Sequence, residues 1–433
     1  MDLYGFGSNA HSQFPYLDDA ANSNPYPQTI KLHKPSRFLR GETIKVLWTS
    51  WCDSIITCTD DENPIPTLHY IGVGLNQEQV ANIKESATEN DFFFGAKLED
   101  GVKGFIQANG VEPASATFFT AQDGKREAAS IIETFRIRRD FLVKLVSVTS
   151  GGHVYIAGTK DATNPESEEE SCILQFPSLL ALKTWLANKS PTPNPIITLP
   201  THETWTQLDS NATTTTGLTS TGRVYTWTTD PRYSRCLGRE AGPDAPTSIP
   251  CPVPYLSETE ITKIASGGYM TAALSSDGEL FLWGQACPGV EGELRVLKCE
   301  PARKETKEDS LRGADSNIEL SGRVEEESEE QDEFVKCVTI KIRGEPACVT
   351  DMAVGHGHVL LAAEIKSRRY SKRKVFAAGQ GESGQLGVQE AQTFVEEFTE
   401  IRDLGDQKVM GLAAAGWSSW VLLEGKLVEH DDS

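Results

Sequence analysis

The chain of 433 residues contains no stretch of about 18–20 consecutive apolar residues, the length that a bilayer-spanning helix requires. Its start, MDLYGFGSN, has neither the basic region nor the apolar core of a secretory signal. Both observations lead us to expect an intracellular protein, in the cytoplasm and with the nucleus as a further compartment, and no membrane insertion. The nine cysteines are odd in number and scattered, without a CxxC pair, so a zinc knuckle or a dithiol redox centre is not expected. Basic side chains are outnumbered: 41 Lys and Arg stand against 62 Asp and Glu, a formal net charge of −21. Capture of a phosphate backbone is driven by clustered cations, so stable direct nucleic-acid binding is not expected.

Familiar catalytic signatures are missing as well. No GxxxxGK[ST] phosphate loop, HExxH metal pair or GxSxG nucleophile elbow occurs. GQGESG, from Gly379 to Gly384, has the look of a phosphate turn but follows an apolar strand and leads into Gln385-Leu386-Gly387, which suits a linking turn. His356 and His358 share one side of an extended strand, yet no Cys or carboxylate spacing nearby supports a metal, and structural imidazoles are expected. Neither catalytic residues nor a cofactor or metal are therefore expected.

What the sequence does contain is a repeated phrase. Its clearest copy, ITKIASGGYMTAALSSDGELFLWGQ from Ile261 to Gln285, reads as strand, turn at Gly267-Gly268, strand, tight turn at Asp277-Gly278, and aromatic strand ending in Gly284. Ile264, Ala272 and Leu274 are expected to face layers between sheets. Looser copies include LTSTGRVYTWTT around Thr221-Gly222, SVTSGGHVYIAGT around Gly151-Gly152, IKVLWTSWCDSIITCTDD leading to LHYIGVG, and VTDMAVGHGHVLLAAE followed by KVFAAGQGESGQLG. A degraded copy surrounds Asp123-Gly124. The C-terminal KVMGLAAAGWSSWVLLEGK supplies two strands without the aromatic-Gly strand, and the N-terminal DLYGFGSN supplies that strand. One unit is thus split between the ends, as a closed ring demands. The expected fold is an all-β, seven-bladed propeller, with blades near 44–76, 102–126, 137–159, 203–229, 261–286, 349–387, and 409–425 joined with 2–9, closed by pairing the first and last strands.

Long inserts interrupt this single domain. EEESEEQDE, Glu325 to Glu333, carries seven acidic side chains in nine positions, and 303–332 is expected to be an acidic mobile loop because it has little apolar surface to bury. ESATENDFFFGAKLEDG, with Phe92-Phe93-Phe94, and DATNPESEEESCILQFPSLLALKTW, with a short helix expected around Leu179–Trp185, are further inserts. KSRRYSKRK, 366–374, has six basic side chains in nine positions and falls where a hairpin loop is expected. A solvated loop facing the acidic inserts, or a site for nucleic acid or an import receptor, fits that composition. Trp48, Trp51, Trp417 and Trp420 suit blade packing or the annular face, where exposed members become interface candidates. The candidate interaction residues are Trp51, Tyr233, Tyr269, His356 and Trp417, together with Lys366, Arg368, Arg369, Tyr370, Lys372, Arg373 and Lys374.

LYGFGSNAHSQF near Leu3, ASGGYMTAALSSDGELFLWG from Ala265 to Gly284, and VFAAGQGESGQLG from Val375 to Gly387 resemble the repeats of the regulator-of-chromosome-condensation family, whose members form seven-bladed propellers. The family's GxxH turn is matched by Gly355 and His358, while Met270 and Ser419 stand at the comparable positions elsewhere. The family's best-known activity, guanine-nucleotide exchange on a small nuclear GTPase, would need a propeller face that stabilises the nucleotide-free partner. A narrower likeness is to its compact fungal alpha-tubulin suppressor proteins, through Tyr4-Gly5-Phe6-Gly7-Ser8-Asn9, Trp420-Val421-Leu422 and the basic run. That likeness implies a non-enzymatic scaffold or accessory subunit, with a small zinc-containing protein as partner, serving diphthamide synthesis and Elongator-dependent transfer-RNA modification. This is the leading expectation, and the exchange factor is the alternative.

Overall fold

The clearest repeat folds as three antiparallel strands, Ile261–Gly267, Met270–Ser275 and Leu280–Gly284, with Val335–Val338 added at the outer edge. The turn between the second and third strands has Gly278 at φ 83°, a value that a residue with a Cβ adopts at a cost. Both faces of this sheet are covered. Ala272, Leu274 and Leu282 pack with Met352 and Leu361 of the following sheet. Ile264, Ala273, Phe281 and Trp283 pack with Leu218 and Val224 of the preceding one. Strands sandwiched in this way read as continuous apolar runs rather than strict alternation.

The chain is represented by a computed structural model that describes residues 1–14, 31–60, 64–98, 101–107, 115–120, 131–137, 141–160, 170–200, 202–298, 334–366, 371–388 and 392–425. The acidic stretch 303–332 lies outside the described residues, as do Arg368, Arg369 and Tyr370.

First strands of successive sheets touch one another around a ring. Closure follows the split repeat: Asp2–Ser8 pairs antiparallel with Ser418–Leu423, from Asp2 opposite Leu423 to Gly7 opposite Ser418. Val409–Ala415 is the inner neighbour of that pair and Lys31–Arg40 the outer one. Leu3, Phe6, Trp420 and Val421 are completely buried across this seam.

The blade count departs from expectation. The described strands form six hydrogen-bonded sheets rather than seven separate blades. Five of these sheets have four or more strands, and the sixth, Thr43–Thr49, Asp53–Thr59 and Thr67–Gly72, has three. The full sheets therefore number five, not seven. A parallel bridge from Val148 to Ala96 is one cause, because it fuses the strands of 92–136 and 141–198 into a single eight-stranded sheet. The other cause is on the far side of Gly72, where the helix Gln77–Ser86 stands in place of a fourth strand and buries Ile83. Asn76 and Gln79 close a reciprocal capping box at its start.

The Phe92-Phe93-Phe94 run is also not an insert. It forms the strand Phe92–Ala96, whose rings stack on Phe105 and Phe118. The helix Leu179–Leu186 forms where expected, capped by Ser178. Among the described residues no helix is long and apolar enough to cross a membrane.

Candidate functional site

Each repeat glycine that ends an aromatic strand has a task in the turn beside it. At Gly7, Gly72, Gly284 and Gly379 the φ values are 116°, 128°, 108° and 106°. A Cβ on any of them would lie 2.2 Å from the carbonyl oxygen of Trp417, Cys52, Tyr269 or Gly357 respectively. The next residue donates its N–H to that carbonyl: Ser8 to Trp417 at 2.8 Å, Val73 to Cys52 at 3.2 Å, Gln285 to Tyr269 at 3.0 Å and Gln380 to Gly357 at 2.8 Å. The repeat therefore fixes the backbone of the turn joining the first two strands in these four units.

Those turns carry four of the aromatic candidates, Trp51, Tyr269, His356 and Trp417. First strands run in the same sense where they touch, as the parallel Val148–Ala96 bridge shows, so the turns emerge at one end of the ring. Neighbouring turns are tied by backbone bonds: His356 N–H donates to Gly416 O at 2.8 Å, Trp51 to Lys97 O at 2.8 Å, and Ala212 to Gly268 O at 2.8 Å. Trp51 and Trp417 meet at 4.2 Å between ring centroids, and His356 stands edge-on to both at 5.7 and 6.3 Å. Tyr269 packs on Tyr233, from the short 3-10 helix Pro231–Leu237, at 4.9 Å. Gly268 abuts His356 and Gly357, so the two aromatic groups are neighbours on the rim. All five side chains are partly exposed. Rigid, half-exposed aromatics lose little entropy on docking and dominate the energetics of many interfaces.

The charges around this rim are held in place. Arg232 lies 5.6 Å over the Tyr233 ring and grips Asp230 with two hydrogen bonds of 2.8 and 2.7 Å, which lower the Asp230 carboxyl below its ordinary range. Burial lowers His356, so its imidazole is neutral at pH 7. Under Tyr269, burial raises the Cys236 thiol to about 11 and the Cys287 thiol to about 12, which leaves neither as a thiolate nucleophile near neutrality.

Carboxylates pin the sheets behind the rim. Asp53 accepts from Val102 N–H at 3.0 Å, Asp209 from Ser266 N–H at 2.9 Å, and Asp351 from Leu412 N–H at 2.8 Å, each across a sheet boundary. Asp53 is fully buried and also accepts from Ser50 Oγ and Trp48 Nε1; desolvation raises its carboxyl nonetheless. Sequence reasoning missed these pins, whose only signal is a lone acidic residue near a turn or strand end.

His358 is fully buried, and burial holds its imidazole down at about 3. Its Nε2 lies 3.0 Å from Ser419 Oγ, and Ser419 donates to Gln385 O at 2.7 Å. Ser419 has spent its proton, so Nε2 carries the hydrogen and Nδ1 is the bare nitrogen.

The basic candidates lie away from the turns. Lys366 pairs with Glu364 at 2.5 Å, Arg373 with Glu364 at 3.3 Å, and Lys374 with Glu400 and Asp406 at 2.6 and 2.7 Å. Lys366 ends one strand, and Lys372, Arg373 and Lys374 lie near the start of the next.

No family model matches the chain. The mitochondrial RCC1 domain-containing protein RUG3 of Arabidopsis thaliana is 37% identical over 78 residues, which are 18% of this chain and 17% of that protein. Among solved structures, Prp20p of Saccharomyces cerevisiae, described with its binding to Gsp1p and histones, aligns over 98% of this chain and 92% of its own at 12% identity and a TM-score of 0.54. The same yeast RCC1 (Prp20) bound to Kap60 aligns over 98% of this chain and 89% of its own, at 12% identity and a TM-score of 0.53. These likenesses correct the leading expectation. The non-enzymatic accessory subunit serving diphthamide synthesis and Elongator finds no counterpart in them: the aligned yeast protein is described with Gsp1p, histones and Kap60. The repeats, the ring closed by its terminal strands and the short match to RUG3 together make the chain similar to RCC1-repeat β-propellers.

Proposed function

We propose that the chain is a guanine-nucleotide exchange factor that docks a small GTPase on its aromatic rim. The observation that carries this reading is the cluster of five partly exposed aromatic side chains, four of them on turns locked by glycine-to-carbonyl contacts and the fifth, Tyr233, packed against one of these. An exchange factor breaks no bond of the nucleotide. It binds the nucleotide-free GTPase more tightly than the loaded one, and by linkage it weakens the nucleotide by the same factor. A rigid rim suits this task, because a docking face that does not yield makes the partner adjust. The kinship with Prp20p, a binder of Gsp1p, supports the choice of partner class. On this reading the partner is a protein and the chain works in the nucleus.

The test is release of a fluorescent guanine nucleotide from Gsp1p in the presence of the chain. Acceleration of about tenfold or more is expected, together with a complex that GTP dissociates. The double variant Trp51→Ala/Trp417→Ala should lose at least about tenfold of that rate while keeping its unfolding midpoint near the parent value. Unchanged release and no complex with nucleotide-free Gsp1p would overturn the proposal.

A further inference from the structure

The strand Lys31–Arg40 is the outermost strand of the closing sheet. Its first residues are covered by the neighbouring unit: Lys31 donates to Glu382 O at 2.8 Å, and the turn at Gly384 abuts Leu32 and His33. From Lys34 to Arg40, no other described strand pairs with its outer edge. The inner side is anchored, because Phe38 stacks edge-on against Trp420 at 5.5 Å and Leu39 packs into the same core.

The charge of this edge runs against that of the molecule. In a chain of net charge −21, residues 20–41 contain Lys31, Lys34, Arg37 and Arg40, with His33, and not one Asp or Glu. Among the described residues Asp2 answers them: Arg40 grips it at 2.6 and 3.1 Å, and Arg37 reaches it at 3.9 Å. Lys34 and Arg37 are exposed, and no ion pair holds Lys34 among the described residues. Lys and Pro on an edge already discourage self-association, and a second copy of this edge would bring like charges together.

We propose that the outer edge of the closing sheet, from Lys34 to Arg40, is a docking site for an acidic, extended segment of a partner protein, which adds to the sheet as a further strand. Backbone N–H and C=O groups along the edge supply the pairing. Lys34 and Arg37 select for Glu and Asp on the incoming segment through complementary charge. Pro35 has no N–H to offer, which confines pairing to the stretch after it. The row of backbone groups favours a peptide over a nucleic acid, which would use the cations but not the edge. This site is separate from the aromatic rim and does not depend on the exchange reading.

The test uses the full chain and a fluorescent peptide of alternating Glu and Val, followed by anisotropy. Binding is expected at low salt, weakened at least about tenfold when salt rises from about 50 to about 300 mM. Lys34→Glu, alone and with Arg37→Glu, should weaken it by about tenfold or more, and Lys34→Gln by less. A peptide of the same charge with Pro at alternate positions, unable to donate to the edge, should lose at least about tenfold. Undiminished binding by the Pro peptide, equal binding of single-stranded DNA, indifference to Lys34→Glu in a variant that retains its unfolding midpoint, or no binding of the Glu-Val peptide would each overturn the proposal.

Discussion

Gly284 illustrates how one missing Cβ positions a side chain in a neighbouring turn. The carbonyl of Tyr269 occupies the space that a Cβ would need, and the following N–H of Gln285 binds that carbonyl. Gly284→Ala forces a residue with a Cβ to φ 108° against that oxygen. A loss of about 2–3 kcal/mol is expected, measured by urea unfolding, with weaker rim-dependent binding. Leu282, earlier in the same strand, carries its Cβ without this penalty and spends it on the layer shared with the next sheet.

His358 makes a second prediction at this scale. Its pKa in the folded state is about 3, below the ordinary 6.5. Above pH 6.5 both states are neutral and the full stability is present. As pH falls from there toward 3, the unfolded chain takes up a proton that the folded one refuses, and stability is lost. The loss approaches roughly 4–5 kcal/mol at the low end. Urea titrations at descending pH should show a steep decline, and His358→Asn should flatten it.

At the scale of strands, cohesion between sheets rests on carboxylates as well as on apolar layers. Asp351 accepts from Leu412 N–H across one boundary and forms an ion pair with Lys263 across the other. Asp351→Ala strips both at once and leaves a partly buried N–H and ammonium unpaired. A destabilisation of about 2–4 kcal/mol is expected. A double-mutant cycle with Lys263→Met should show coupling of about 1 kcal/mol or more, and strict additivity would refute the pairing. These contacts were illegible beforehand, because Asp351 and Lys263 are 88 positions apart. The turn aromatics were legible: Trp51, Tyr269, His356 and Trp417 recur at one place in the repeat, and that place is where first and second strands join. Their mutual contacts were not, since only ring closure brings Trp51 beside Trp417.

For the whole molecule, closure couples the two ends of the chain. Phe6 is fully buried and packs with Val421 and Leu423 in the layer between the last two units. Phe6→Ala should cost about 3–5 kcal/mol. Hydrogen exchange should then speed up together in Asp2–Ser8 and Ser418–Leu423, and protection lost in only one of them would contradict a shared seam.

Local chemistry was enough to establish an all-β ring of Gly-punctuated hairpins and its closure through complementary terminal strands. Turn residues and short apolar runs act over a few positions, so they can be read directly. The number of separate sheets could not be read in this way. One bridge between Ala96 and Val148, far apart in the chain, merged two units, and a capped helix after Gly72 took the place of a strand. The proposed docking rim divides along the same line: the residue types on the turns were visible in the chain, whereas their assembly depended on which turns the closed ring set side by side.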